Sequence, residues 1–89
     1  MRKIDDPFIA GFPLLDLHGE DRVGAIVKVK ELISDSIKLK NYNLVLIHGK
    51  GTGVLKEAVH EYLKHDKRVL DYKLDNINDG ITIVKLKEQ

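Results

Sequence analysis

Two stretches of this chain hold residues that can move protons or bind an anion. The first is "LDLHG" at 15–19, and the second is "VLIHGKGTGVLKEAV" at 45–59. Each is an apolar run that ends in His-Gly and leads towards a helical pattern. His18 and His48 stand 30 residues apart, about one βα unit. Both fall at the carboxyl end of a strand, the edge where ligands of open α/β sheets tend to bind. Neighbouring strands lie about 4.8 Å apart, so two imidazoles at that edge come within reach of one small group. Side chains alternate along a strand, so Leu15 and Leu17 share one face, and Asp16 and His18 share the other. An Asp two residues before a His can orient the imidazole and stabilise its charged form, which makes an acid/base pair suited to phosphodiester chemistry. The competing reading is structural: strand-end histidines often only satisfy nearby backbone groups.

The segment after His48 is glycine-rich. Gly49, Gly51 and Gly53 let backbone N–H groups converge on an anion, and the start of the following helix adds favourable partial charge. Lys50 supplies a full positive charge and Thr52 a further donor. Named phosphate motifs do not fit. A P-loop places Lys after the last Gly, whereas Lys50 precedes Gly51 and Thr52; the dinucleotide fingerprint needs a third Gly where Val54 stands. Nucleoside-triphosphate hydrolysis and a nicotinamide cofactor are therefore not expected. The competing reading is a tight turn whose glycines serve only backbone geometry.

These segments need a scaffold. Residues 1–13 read as an N-terminal arm, broken by Pro7, Gly11 and Pro13, and residues 14–89 as one domain. A short strand at 14–19 leads to a helix at 21–40 with Asp21 as N-cap. Ala25, Ile26, Val29, Leu32, Ile33, Ser36 and Ile37 make its apolar stripe. The strand at 44–49 is apolar on both faces, which places it inside the sheet. A second helix covers 53–65, with Val54, Leu55, Ala58, Val59, Tyr62 and Leu63 inward; His60 and His65 on it read as solvated. The alternating strand at 68–75 puts Leu70, Tyr72 and Leu74 on one face, and a β-branched strand covers 81–86. The order is β-α-β-α-β-β: an α/β two-layer sandwich with both helices on one face of the sheet and the other face open.

Composition bounds the rest. The 89 residues are 43% hydrophobic and 33% charged, which fits one folded domain rather than a disordered chain. With no cysteine, disulfides, thiolate metal sites and thiol catalysis are excluded, and a reducing cytoplasmic setting is expected. No apolar run reaches membrane-spanning length, so no membrane partner is expected. The net charge of +1 means that any nucleic-acid site must be a local patch.

Together, "LDLHG", a helix, "IHGKGTGVLKEAVHEYL", a Tyr-bearing strand and "ITIVKL" resemble the Smr (small MutS-related) domain over about Leu14 to Leu86. The resemblance implies a four-stranded mixed sheet of order 1-2-4-3, similar to the C-terminal domain of bacterial translation initiation factor three. It also implies endonuclease activity on DNA or RNA, in mismatch repair, control of recombination or cleavage of messages on stalled ribosomes. By that resemblance Asp16, Leu17 and His18 belong to a cleavage motif, and His48 to Gly51 to nucleic-acid binding and activity. The chain departs from the family in two places. Asp21 stands where the family often has Thr, without the capping-box Glu, and the loop before the last strand shrinks to "NDG".

Three functions are compatible with these residues. The first is an endonuclease: Asp16 and His18 catalytic, with His48, Gly49, Lys50, Gly51, Thr52 and Gly53 holding the phosphate. With RNA the 2′-hydroxyl can attack and no metal is needed. With DNA water must attack, and a divalent cation (Mg or Mn) becomes attractive, yet no cluster of carboxylates stands ready to hold one. The second is a non-catalytic module that binds nucleic acid or a ribosome-associated partner. The third is a binder of small phosphate compounds. Oligomeric state is not legible.

Overall fold

The computed structural model describes residues 12–88. The arm expected at 1–13 lies mostly outside them. Six elements follow in order: β1 (Leu14–Asp16), α1 (Arg22–Lys38), β2 (Asn43–Ile47), α2 (Val54–His65), β3 (Val69–Leu74) and β4 (Ile81–Leu86). The sheet has the order β1-β2-β4-β3, with β1 and β2 parallel and β4 antiparallel to both its neighbours.

β2 is central, and Leu44, Val45 and Leu46 are fully buried because the sheet covers both their edges and packing covers both their faces. Leu44 and Leu46 join Leu17, Val84 and Leu86 beneath Ala25, Val29 and Ile33 of α1 and Val59 and Leu63 of α2. Both helices therefore cover one face. Val45 and Ile81 form a second, smaller cluster with Phe12, Ile47 and Ile83 on the opposite face. Phe12, at the end of the expected arm, thus covers part of the face left open by the helices.

Asp21 caps α1 as its short side chain suggests, its Oδ1 accepting from the Gly24 N–H at 2.7 Å. A Cβ at Gly24 would sit 2.7 Å from the Glu20 carboxylate, which reaches across to Lys28 at 2.6 Å.

Two side chains expected inside lie outside. Val54 opens α2 and is half exposed, being in the first turn where the helix has not yet reached the sheet. Leu70 is exposed because the pairing of β3 with β4 shifts register between Val69 and Asp71. The bulge makes Leu70 the extra residue and turns Val69 and Tyr72 towards the core.

At the far end of the sheet from the glycine loop, Arg68 grips the Asp66 carboxylate through Nε at 3.1 Å and Nη2 at 2.8 Å. Its Nη1 reaches Ser34 on α1 at 3.0 Å, and Tyr62 on α2 donates to the same carboxylate. The group ties both helices to the start of β3.

Candidate nucleic-acid interface

Because β1 and β2 are parallel, their carboxyl ends meet at one edge, with Asp16 opposite Ile47. Leu17 continues the ladder by donating its N–H to Ile47 O at 2.8 Å. The chain then turns through His18 and Gly19. Leu17 is buried, whereas Asp16 and His18 are exposed, so the alternation expected of β1 is present. Asp16 has a local task. Its Oδ1 accepts from the His18 backbone N–H at 2.8 Å, an Asx-type bond that shapes the turn and leaves the imidazole free of it.

The glycine loop occupies the end of β2. Gly49 and Gly53 have φ of 81° and 83°, in the left-handed region that a side chain would oppose. Gly53 is also the N-cap of α2 and, having no side chain, offers no cap to the first turn of the helix. Thr52 and Lys50 are exposed; the Thr52 hydroxyl accepts weakly from the Val54 N–H at 3.4 Å. Lys50 lies 3.7 Å from Asp79 in the loop before β4, and both side chains are 69% exposed.

That loop is bound closely to the first. The backbone N–H groups of His48 and Gly49 both donate to Gly80 O at 3.0 Å. A Cβ on Gly80 would come within 3.2 Å of the Gly49 backbone, so the short "NDG" turn fits because it ends in Gly.

His48 stands apart from His18. Continuing the β1–β2 register places Leu17, and not His18, opposite His48. A one-residue offset sends a side chain to the other face. His48 accordingly follows Leu44 and Leu46 to the helix side, where it is buried. Its Nε2 lies 2.7 Å from Thr82 Oγ1, and its Nδ1 3.0 Å from Gly49 O. His60, read from sequence as solvated, is half-buried and also lies 2.7 Å from Thr82 Oγ1, with its ring edge-on to Tyr72. Burial holds both imidazoles below the ordinary value of 6.5, and for His60 the neighbouring His48 adds to the effect. His65 is exposed as expected. Sequence reasoning missed Thr82 and His60. The one-residue offset between the two His-Gly segments is set by strand pairing, so no local signal in the sequence marks either residue.

Comparison with known proteins establishes the family and the fold. The profile of the Smr domain matches residues 15–87, nearly all of the chain. The chain belongs to the Smr domain family. It is 39% identical over 79 residues to Endonuclease MutS2 of Symbiobacterium thermophilum, covering 85% of this chain and 10% of that protein. Endonuclease MutS2 of Ligilactobacillus salivarius is 43% identical over 79 residues, with shares of 84% and 10%. The chain thus spans about a tenth of the length of these relatives. Among solved structures, the Smr domain of Thermus thermophilus MutS2 superposes with a TM-score of 0.82 at 33% identity, covering 84% of this chain and 98% of that one. YdaL, a stand-alone small MutS-related protein from Escherichia coli, shares the fold with a TM-score of 0.79 at 20% identity, covering 84% and 64%.

Among the described residues of this Smr domain, no helix is long and apolar enough to cross a membrane. Likewise no three His, Cys, Asp or Glu side chains among them gather as ligands of one ion.

Proposed function

We propose that this Smr domain binds nucleic acid at the carboxyl edge of β1 and β2 and cleaves its phosphodiester backbone. The observation that carries the reading is the sharing of that edge by the exposed Asp16–His18 turn and the exposed, lysine-bearing glycine loop. The name Endonuclease MutS2, borne by relatives that match 82–85% of this chain, supports it. In this reading the loop N–H groups and Lys50 offset phosphate charge, so a phosphate can approach without the cost of leaving solvent unpaired. His18 takes or gives the proton of the reacting oxygen. On RNA, it removes the proton of the 2′-hydroxyl, which attacks phosphorus to form the 2′,3′-cyclic phosphate as the bond to the 5′-oxygen breaks, and the departing 5′-oxygen takes a proton from water. On DNA, the attacking oxygen is that of water. Asp16 shapes the turn that presents His18.

A specific observation favours a second reading, that of a binding module without cleavage. The Asp16 carboxylate bonds the His18 backbone and not its ring, so the pair is not poised like a relay. End-labelled single-stranded RNA, single-stranded DNA and duplex DNA should be incubated with the domain in EDTA and in magnesium. Cleavage lost in His18→Ala supports the enzyme. Binding with no cleavage above the His18→Ala control, with either ion condition, leaves the module. Binding of a mononucleotide but of no oligonucleotide refutes both.

A further inference from the structure

The His48–Thr82–His60 group has a direction. A carbonyl can only accept, so the 3.0 Å contact with Gly49 O requires the proton on His48 Nδ1. In the neutral ring Nε2 is then a bare acceptor, and the Thr82 hydroxyl must donate to it at 2.7 Å. Thr82 has spent its only proton, so His60 Nε2 must donate to Thr82 Oγ1, also at 2.7 Å. The chain runs one way, from α2 through β4 to the loop: His60 N–H to Thr82, Thr82 O–H to His48, His48 N–H to the Gly49 carbonyl. The burial that disfavours a charge on either ring favours the neutral forms this order needs.

The end of the chain matters most. The peptide between Gly49 and Lys50 is trans, so its C=O and N–H point in opposite directions. With the carbonyl turned to the His48 ring, the Lys50 N–H is turned away from it. Gly49, with no Cβ and φ of 81°, is a residue about which this peptide could otherwise flip. Neither nitrogen of His48 is left over for a ligand.

We propose that His60 and Thr82 are positioning residues of the glycine loop: through His48 they hold the Gly49–Lys50 peptide with its N–H presented to an anion. The effect on binding rests on the function proposed above; the effect on the ring and peptide does not. The test uses the whole chain and four variants. Thr82→Val keeps the β-branched shape and removes the hydroxyl, and Thr82→Ser restores it. His60→Leu removes the donor, and His60→Gln supplies another. Long-range nitrogen–proton NMR reads the protonated nitrogen of His48, the Lys50 amide shift reads the peptide, and titration with a labelled oligonucleotide reads affinity.

In the parent protein His48 should carry its proton on Nδ1. Thr82→Val and His60→Leu should mix the His48 tautomers and move the Lys50 amide. They should also weaken oligonucleotide binding by about three- to tenfold, the span of one net hydrogen bond. Thr82→Ser and His60→Gln should return all three readouts towards the parent. A parent protein with His48 protonated on Nε2 overturns the proposal. So does a Thr82→Val protein with the parent tautomer and Lys50 shift. If Thr82→Val fails to fold, the His60 pair on the helix decides by the same readouts. If ring and amide respond but the parent binds no oligonucleotide, the positioning stands and the nucleic-acid function falls.

Discussion

Lys50 gives the most direct test of the anion cradle, because its effects on folding and binding separate cleanly. Its partner Asp79 is 3.7 Å away, and both side chains are 69% exposed. Such a pair contributes at most about 1 kcal/mol to stability, and often nothing. Lys50→Ala should therefore melt like the parent. Binding should change in a defined way. Each phosphate neutralised contributes a slope in log affinity against log salt of about 0.9 on duplex DNA and about 0.7 on single strands. Losing one contact should lower the slope by that amount. Between about 50 and 200 mM salt, the gap between Lys50→Ala and parent should then narrow by about threefold, equally for every sequence.

The partner residue supplies the opposite perturbation. At 3.7 Å two unit charges in water interact by about 1 kcal/mol. Asp79→Asn removes a carboxylate that competes with phosphate for Lys50. Affinity should rise by up to about fivefold at low salt, and the gain should fade as salt screens it. Fluorescence anisotropy with a labelled oligonucleotide, repeated at four or more salt concentrations, measures both variants. A Lys50→Ala slope equal to the parent's, with an Asp79→Asn affinity unchanged at low salt, refutes a phosphate at this loop.

The other expectations concern chemistry and acid stability. His18→Ala should cost on the order of a hundredfold to ten-thousandfold in single-turnover cleavage if His18 transfers a proton, while its exposure keeps the change in stability within about 0.5 kcal/mol; cleavage at the parent rate would remove it from the mechanism. His48 and His60 are held below 6.5, so the unfolded chain takes up protons first and stability should fall as pH drops below 6.5 towards the folded values. Urea melts that stay flat or strengthen across that window would count against the buried neutral pair. Asp66 behaves as a separate marker. Arg68 holds its carboxyl down from 3.8 to about 2, a difference that stabilises the fold above 3.8 by roughly 2 kcal/mol and is lost as pH falls through about 2. Asp66→Asn should abolish that acid phase and lower the melting temperature at neutral pH, as calorimetry across the same pH series will show.

The fold was legible because its signals are local and repeated. The apolar stripe of α1, the two-faced hydrophobicity of β2 and the Asp21 cap each agree with the element they form. Leu70 was misread because alternation assumes an unbroken register, and the bulge between Val69 and Asp71 is decided by pairing with β4, a strand that follows it in sequence. His60 was misread for a related reason. Its partner Thr82 is 22 residues away on a strand that the topology inserts next to β2, and nothing local to α2 announces it.

The two His-Gly segments show how far resemblance between motifs can be taken. Read as a repeat, they place two imidazoles side by side. Paired in the sheet, they are one residue out of phase: Leu15 lies beside Leu46 and Asp16 beside Ile47, so Leu17 and not His18 comes opposite His48. The first histidine is left in solvent, where it can meet a substrate. The second is taken under α2, where its two nitrogens are used on Thr82 and the Gly49 carbonyl. Phase, set by register, thus assigns different work to like residues. It also yields a discriminating variant pair. His18→Ala should affect cleavage with oligonucleotide affinity little changed, whereas His48→Ala should weaken binding and lower stability together, because it takes the acceptor from the buried Thr82 O–H, which keeps only the bond from His60, and leaves a cavity under α2. Equal effects of the two substitutions on cleavage, binding and melting would mean that both rings serve one site, as the repeat alone implies, and that this division of labour is wrong.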